Sequence, residues 1–300
     1  MALYLVKEKV LGKGSYGTVY RGVLSDVPQI GYGGVTVAVK STSIPPCALS
    51  LRKEENILNN FSRCPEIVQC YGSEITVEDG VCVANLILEY APYGTLSDLI
   101  KKGAFSENQV RVFTGMLLRG LSCIHRMGFV HCDLKPENVL VFPGAEMTSY
   151  QLKIADFGLA MTSEEKKNFD PRNWRFRYRG TPLYMSPESV TMGEIEPELD
   201  IWSLGCVVLE MVTGLPLWKS WRIEREDDFL CRLVFLRAKP RIPETVSMEC
   251  RDFLSKCFDR ESDRRWSADM LLKHPFLAPN HPRRSSFNLN TSRSLFSYGT

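Results

Sequence analysis

The sequence predicts an α+β chain of two lobes: a small β-rich lobe with one helix, then a larger helical lobe. Three observations predict it. Up to about residue 90, apolar, β-branched and aromatic runs alternate with Gly- and Pro-rich breaks. From Ser106 onward, apolar residues recur at spacings of three and four. Between the two textures, residues 89–94 carry Pro92 and Gly94 and read as a hinge. At 300 residues and 44% hydrophobic, the chain can bury a substantial core, and 24% charged residues exclude a mainly disordered or collagen-like chain.

The elements follow in order. Residues 3–11 are apolar and mixed, 18–24 are β-branched and aromatic, 35–39 alternate, and 81–90 form a further apolar run. All four read as strands. The Gly- and Pro-rich loop 25–34 is long for a hairpin connection. One helix, about 48–61, follows Pro45-Pro46. Ser106 and Gln109 form a capping box that opens a second helix. On it Val110, Phe113, Leu117, Leu121 and Ile124 share one face, and Gly128 is the stop. Residues 198–213 are apolar nearly all round, which marks a buried central helix ended by Gly214 and Pro216. Residues 267–272 are a short last helix stopped by His274-Pro275.

The net charge of +2 gives no whole-chain argument for nucleic acid or an acidic membrane. The charge is uneven. Residues 279–300 hold Arg283, Arg284 and Arg293 and no acid, so this Ser- and Asn-rich tail is +3 and the preceding 278 residues sum to −1. The tail reads as flexible and outside the core, leaving residues 1–278 as one domain with lobes at about 1–90 and 95–278. Ten cysteines lie between Cys47 and Cys257 with no C-x-x-C pair and no Cys/His cluster at ligand spacing. The first ten residues lack a signal peptide's apolar region, and no apolar run approaches the ~20 residues of a membrane span. Reduced cysteines in a cytoplasmic or nuclear protein are the expectation.

Gly12, Gly14, Gly17 and Val19 make a G-x-G-x-x-G-x-V pattern. A dinucleotide fingerprint would open a helix. Here the glycines lie between two strand-like runs, so the pattern is a hairpin tip. That tip is either a plain Gly-rich turn or a loop whose backbone N–H groups pass close over phosphates. Lys40 ends Val37-Ala38-Val39-Lys40. In the following helix Glu54 has apolar Ile57, Leu58 and Phe61 at +3, +4 and +7, so it shares their inward stripe, whereas Glu55 does not. A carboxylate on an apolar face needs a cation, and Lys40 is the candidate.

Two acidic motifs follow, residues 131–138 (HCDLKPEN) and Asp156-Phe157-Gly158. With the glycine loop, the lysine, the helix glutamate and Ser186-Pro187-Glu188, the chain resembles the eukaryotic protein kinase family from about residue 4 to 277. The resemblance implies the bilobal protein-kinase fold and Mg-ATP-dependent transfer to a protein hydroxyl. It implies that Asp133 orients the substrate hydroxyl, that Lys135 neutralises the transferring phosphoryl, and that Asn138 and Asp156 hold Mg²⁺. It places Lys40, fixed by Glu54, on the ATP phosphates under Leu11, Gly12, Gly14 and Gly17. Val19, Ala38 and Leu140 would enclose adenine, Leu88 would guard its pocket, and Glu89 and Ala91 would offer it backbone groups. His131, Phe157 and Leu58 would stack as a spine, Asp200 would brace the loop at 131–138, and Arg265 would pair with Glu188.

Lys135 together with Thr181 in Gly180-Thr181-Pro182 resembles serine/threonine kinases, although Thr181 also suits an ordinary turn. Residues 89–98, 130–133 and 184–188 look like the short plant mitogen-activated protein (MAP) kinase kinase kinases of the MEKK-like branch. That implies MAP kinase kinases as substrates and a stress or hormone pathway. The alternatives are a pseudokinase scaffold, a serine/threonine kinase of another subfamily, and a small-molecule kinase, which the Asp133–Asn138 and 180–188 motifs disfavour.

The chain departs from the family at Cys132, where an arginine commonly precedes the catalytic aspartate and binds a phosphorylated activation loop. A thiol cannot pair with phosphate by charge, so the expectation is weaker dependence on activation-loop phosphorylation, at Thr162 and Ser163, than in an arginine-containing kinase. Residues 159–180 carry a net +3, with Arg172, Arg175, Arg177 and Arg179. The segment suits either an acidic or phosphorylated partner or a solvated loop.

Overall fold

The computed structural model describes residues 4–14, 17–25, 34–146, 149–162, 165, 179–220 and 225–278. The interior of the 25–34 loop, Ser163, Arg172, Arg175, Arg177 and the 279–300 tail lie outside the described residues.

Strands β1 (Tyr4–Gly14), β2 (Gly17–Ser25), β3 (Val35–Thr42), β4 (Cys70–Glu78) and β5 (Val81–Glu89) form an antiparallel sheet in the order β1-β2-β3-β5-β4. Side chains alternate across it. Val37 and Val39 of β3 pack with Ile87, Leu5, Tyr20 and Leu24 on one face. Ala38 joins the main core on the other, where helix α1 (Pro45–Leu58) lies. The same alternation carries Lys40 to the helix side.

Helix α1 starts earlier than its apolar spacing predicts. Pro45 and Pro46 occupy its first turn instead of preceding it, because proline's fixed φ suits a position whose N–H has no intrahelical partner. Leu51, Glu54, Ile57 and Leu58 are its buried residues, and a 3₁₀ turn, Asn59–Phe61, carries the chain to Phe61. Strand β4 has no clean sequence signature. It is an edge strand that exposes Tyr71, Ile75 and Val77 and turns Glu74 inward, the reverse of an ordinary alternation.

The second lobe is helical. Thr95 and Asp98 form a capping box at helix α2 (Leu96–Ile100), and Ser106 and Gln109 form the expected one at α3 (Glu107–Arg126). Val110, Phe113, Leu117, Leu121 and Ile124 are all buried. Strands β6 (Val139–Pro143) and β7 (Tyr150–Ile154) pair beneath the hinge. Helix α4 (Pro187–Thr191) precedes the central α5 (Pro197–Thr213), which is buried along most of its length. Gly214 ends α5 in the left-handed region at φ 66°, and a Cβ there would stand 2.6 Å from the Ala104 amide nitrogen. Helices α6 (Leu217–Ser220), α7 (Glu226–Val234), α8 (Met248–Cys257) and α9 (Ala268–Leu271) complete the lobe. Among the described residues no helix is long and apolar enough to cross a membrane.

Candidate active site

The two lobes meet at Lys40. The β3 register sets it opposite Val19 of β2 and Leu86 of β5. Its Nζ donates to Glu54 Oε2 at 2.7 Å and to Asp156 Oδ1 at 2.9 Å. Glu54 is 1% exposed, and its other oxygen accepts the Phe157 N–H at 3.1 Å. Glu55, its neighbour, instead accepts a hydrogen bond from Ser73 near the surface. Burial works against charge on Lys40, but Glu54 and Asp156 outweigh it and raise the lysine's pKa. Burial also raises Glu54, against the pull of Lys40. Asp156 feels the same desolvation, yet Lys40 holds it below the usual carboxylate range.

Asp200 at the start of α5 braces residues 131–138. Its Oδ2 accepts the His131 N–H at 2.8 Å and its Oδ1 the Cys132 N–H at 2.9 Å. Cys132 sits there in the left-handed region, φ 67°, a conformation that two hydrogen bonds to a buried carboxylate can hold. Asp133 next to it has three side-chain partners. Thr181 Oγ1 donates to its Oδ1 at 2.7 Å, and Asn138 Nδ2 and Lys135 Nζ each lie 2.9 Å from its Oδ2. Lys135 also donates to Thr181 Oγ1 at 2.6 Å. Thr181 comes this close because Gly180, at φ 115°, has no Cβ, which would stand 2.3 Å from the Cys132 carbonyl oxygen.

Asn138 donates a second time, to the Asp133 carbonyl, at 2.8 Å. Both amide protons are thus engaged, and the amide oxygen is left to face a cation. Asp156 uses Oδ1 for Lys40 and the Gly158 N–H, no described residue donates to its Oδ2, and its side chain is 38% exposed. Two oxygen donors of this kind fit a hard divalent ion such as Mg²⁺.

The residues expected around adenine lie on β1, β2, β3 and β5 of the sheet, in the hinge and on β6 of the second lobe. Ala38 pairs with Leu88 across β3 and β5, while Val19 and Leu140 are half-buried against the core. Leu11 is exposed at the end of β1, beside Gly12, which pairs with Val19. A Cβ at Gly12 or Gly14 would meet nothing within 4 Å, whereas one at Gly17, φ 141°, would stand 2.2 Å from the Ser41 carbonyl oxygen. Gly17 is therefore demanded by the folded chain itself. Ala91 accepts the Gly94 N–H and closes the hinge turn.

Sequence reasoning missed the Glu89 side chain. Lys153 of β7 donates to both its oxygens at 2.7 Å, tying the hinge to the second lobe. The contact of the Phe61 ring with Phe157 was missed too. His131 meets Phe157 edge-on at 4.9 Å between ring centroids, and Phe61 lies 5.7 Å from Phe157, while Leu58 is buried in the same core. His131 Nδ1 accepts the Asp133 N–H, so the ring proton belongs on Nε2, which faces the Ala155 carbonyl at 3.1 Å. Arg265 and Glu188 pair through two bonds of 2.6 and 2.9 Å.

A profile described as "Protein kinase domain" matches residues 5–277. The chain belongs to the protein kinase family. Mitogen-activated protein kinase kinase kinase 20 of Arabidopsis thaliana is 40% identical to it over 279 residues, covering 91% of this chain and 78% of that protein. Mitogen-activated protein kinase kinase kinase 17 of the same plant is 40% identical, covering 90% and 68%. Mitogen-activated protein kinase kinase kinase 18 is 37% identical, covering 91% and 77%. The kinase is thus a serine/threonine protein kinase resembling the plant MEKK-like enzymes. Protein kinases typically use ATP with Mg²⁺.

At Cys132 the kinase differs from an arginine-containing relative in more than charge. The thiol is buried and points at the Val130 carbonyl, and burial raises its pKa. It offers no cation to the activation segment.

Proposed function

We propose that this kinase transfers the γ-phosphoryl of ATP to serine or threonine hydroxyls of MAP kinase kinases. One observation carries the reading. Thr181, Lys135 and Asn138 converge on the Asp133 carboxylate, beside a hydrogen-bonded Glu54–Lys40–Asp156 chain.

Phosphoryl transfer depends on positioning and charge neutralisation more than on covalent chemistry by the protein. Asp133, acceptor-only when ionised, orients the substrate hydroxyl and takes its proton as the oxygen bonds to the γ-phosphorus and the bond to the β,γ-bridging oxygen breaks, releasing ADP. Lys135 faces the charge that develops on the transferring group. Lys40, held by Glu54, docks on the ATP phosphates, and the clearance over Gly12 and Gly14 admits them beneath the β1–β2 tip. Asn138 and Asp156 hold Mg²⁺, which when bound neutralises phosphate charge. Val19, Ala38, Leu88 and Leu140 enclose adenine, with backbone groups of Glu89 and Ala91 along one edge and Leu11 at the mouth.

The test is labelled phosphate transfer from ATP to a kinase-dead MAP kinase kinase. Incorporation by the wild type and none by Asp133→Asn is expected. Equal signals from the two overturn the catalytic reading and leave a binding scaffold. The name of the similar Arabidopsis proteins motivates the substrate class. Free thiols suit a cytoplasmic or nuclear setting, which a fluorescent fusion reads directly. The kinase domain is taken as residues 1–278, so truncation after Ala278 is expected to retain both activity and melting temperature.

A further inference from the structure

Residues 159–162 follow the Asp156-Phe157-Gly158 turn, and two cations converge on the carbonyls of Leu159 and Ala160. Lys53 of α1 donates to the Ala160 carbonyl at 2.8 Å. Arg179 donates to the Leu159 carbonyl through Nε at 2.6 Å and to Ala160 through Nη2 at 3.4 Å. Lys53 also pairs with Glu165 Oε1 at 2.6 Å. The other Glu165 oxygen accepts the Thr162 N–H at 3.0 Å, and Thr162 Oγ1 accepts the Glu165 N–H at 3.0 Å. That reciprocal pair is a capping box, so the carboxylate is fixed to its own backbone as well as to Lys53. Burial would raise its pKa, but Lys53 and the Thr162 amide lower it, with Arg179 adding to the effect.

Lys53 directly precedes Glu54. Adjacent helical residues point about 100° apart, so α1 grips the segment after Asp156 at two places on its circumference. Glu54 reaches inward to Lys40 and the Phe157 N–H. Lys53 reaches sideways to Ala160 and Glu165. A single contact fixes a distance, whereas two at different angles fix the rotation of the helix and so the aim of Glu54. Cys132, which feels both Lys53 and Arg179, supplies no third cation.

We propose that Glu165 is a positioning residue for phosphoryl transfer: its carboxylate, held between Lys53 and the Thr162 amide, locks α1 against the segment after Asp156 and keeps Lys40 and Glu54 aligned without an added phosphate. This rests on the catalytic reading above. It gives the weaker dependence on activation-loop phosphorylation expected from Cys132 a positive cause: the negative charge is encoded in the chain.

The experiment is a kinetic double-mutant cycle of Glu165→Gln and Lys53→Met on the full chain, run beside Asp133→Asn and phosphatase-treated wild type. Wild-type turnover that Asp133→Asn abolishes secures the underlying reading; its absence overturns that reading and leaves Glu165 without a reaction to serve. With turnover secured, each single variant is expected to lose about tenfold in kcat with KM for the protein substrate within twofold. The double variant is expected to lose about tenfold as well, since either change breaks the same link. Unchanged kcat in Glu165→Gln, or losses that multiply to about a hundredfold, overturns the proposal. So does phosphatase treatment that abolishes wild-type activity. Should Glu165→Gln fail to fold, Lys53→Met and Glu165→Asp carry the same readout, with partial retention of kcat expected in the aspartate variant.

Discussion

Thr181 Oγ1 donates to Asp133 Oδ1 at 2.7 Å while accepting a hydrogen bond from Lys135 Nζ at 2.6 Å. One hydroxyl thus links the proposed base to the proposed phosphoryl-neutralising lysine, and it arrives from a residue 48 positions away. Thr181→Val keeps the shape and removes both bonds. A loss of at least about tenfold in kcat is expected, as for a misplaced acid–base group, with Thr181→Ser retaining most of the rate. Equal rates in valine and serine variants would show that the hydroxyl only fills a turn.

Lys40→Met leaves Glu54 buried without its cation. Removing one partner of a buried pair costs about 3 kcal/mol, softened here because burial already raises the pKa of Glu54 and eases its protonation. Lys40→Met/Glu54→Leu is expected to recover part of the stability and none of the activity. Urea unfolding alongside phosphate transfer separates the two effects.

Ser186 is fully buried at the N-cap of α4, yet among the described residues its hydroxyl caps nothing and finds no hydrogen-bond partner. A buried hydroxyl left unpaired costs about 1 kcal/mol or more. Ser186→Ala is expected to stabilise the kinase by about 1 kcal/mol and raise its melting temperature by about 2 °C. A fall in melting temperature would mean that the hydroxyl has a partner after all, such as a water.

Glu210 of α5 is buried, and its Oε1 accepts the Tyr184 hydroxyl at 3.0 Å and the Leu217 N–H at 2.9 Å. Burial lifts its pKa from 4.5 to about 7. The folded state holds this proton more tightly than the unfolded chain does. Its stabilising contribution is therefore full below about pH 4.5 and is lost as pH rises through about 7. Gln at this position keeps the accepting oxygen and carries no charge. Glu210→Gln should match the wild type near pH 5 and exceed it at pH 8 by on the order of 3 kcal/mol. Parallel pH profiles in urea denaturation would count against an ionised Glu210 in the core.

Much of the fold and site was legible in the sequence, because the signals are local. Strand runs, the Ser106–Gln109 capping box, the glycine stops and the stripe at Ile57, Leu58 and Phe61 each act within a few residues. The stripe distinguished inward Glu54 from outward Glu55, and burial bears that out. Helices α2, α4, α6, α7 and α8 and strands β4, β6 and β7 were missed. The polar-rich run of α8 (MECRDFLSKC) and the inverted alternation of β4 become an element only once a neighbour covers one face.

By itself, then, the sequence determined the lobe order, the helix and strand faces and the ordered set of chemistry-bearing residues, since these depend on backbone periodicity and residue type. Only the tertiary structure decided that Thr181 reaches Asp133, that Lys153 ties down Glu89, and that Lys53 meets a segment 107 residues away at Ala160. No local pattern specifies such pairs. They are set by how two lobes pack, because in a desolvated interior each charge and donor must find its partner wherever the fold brings one.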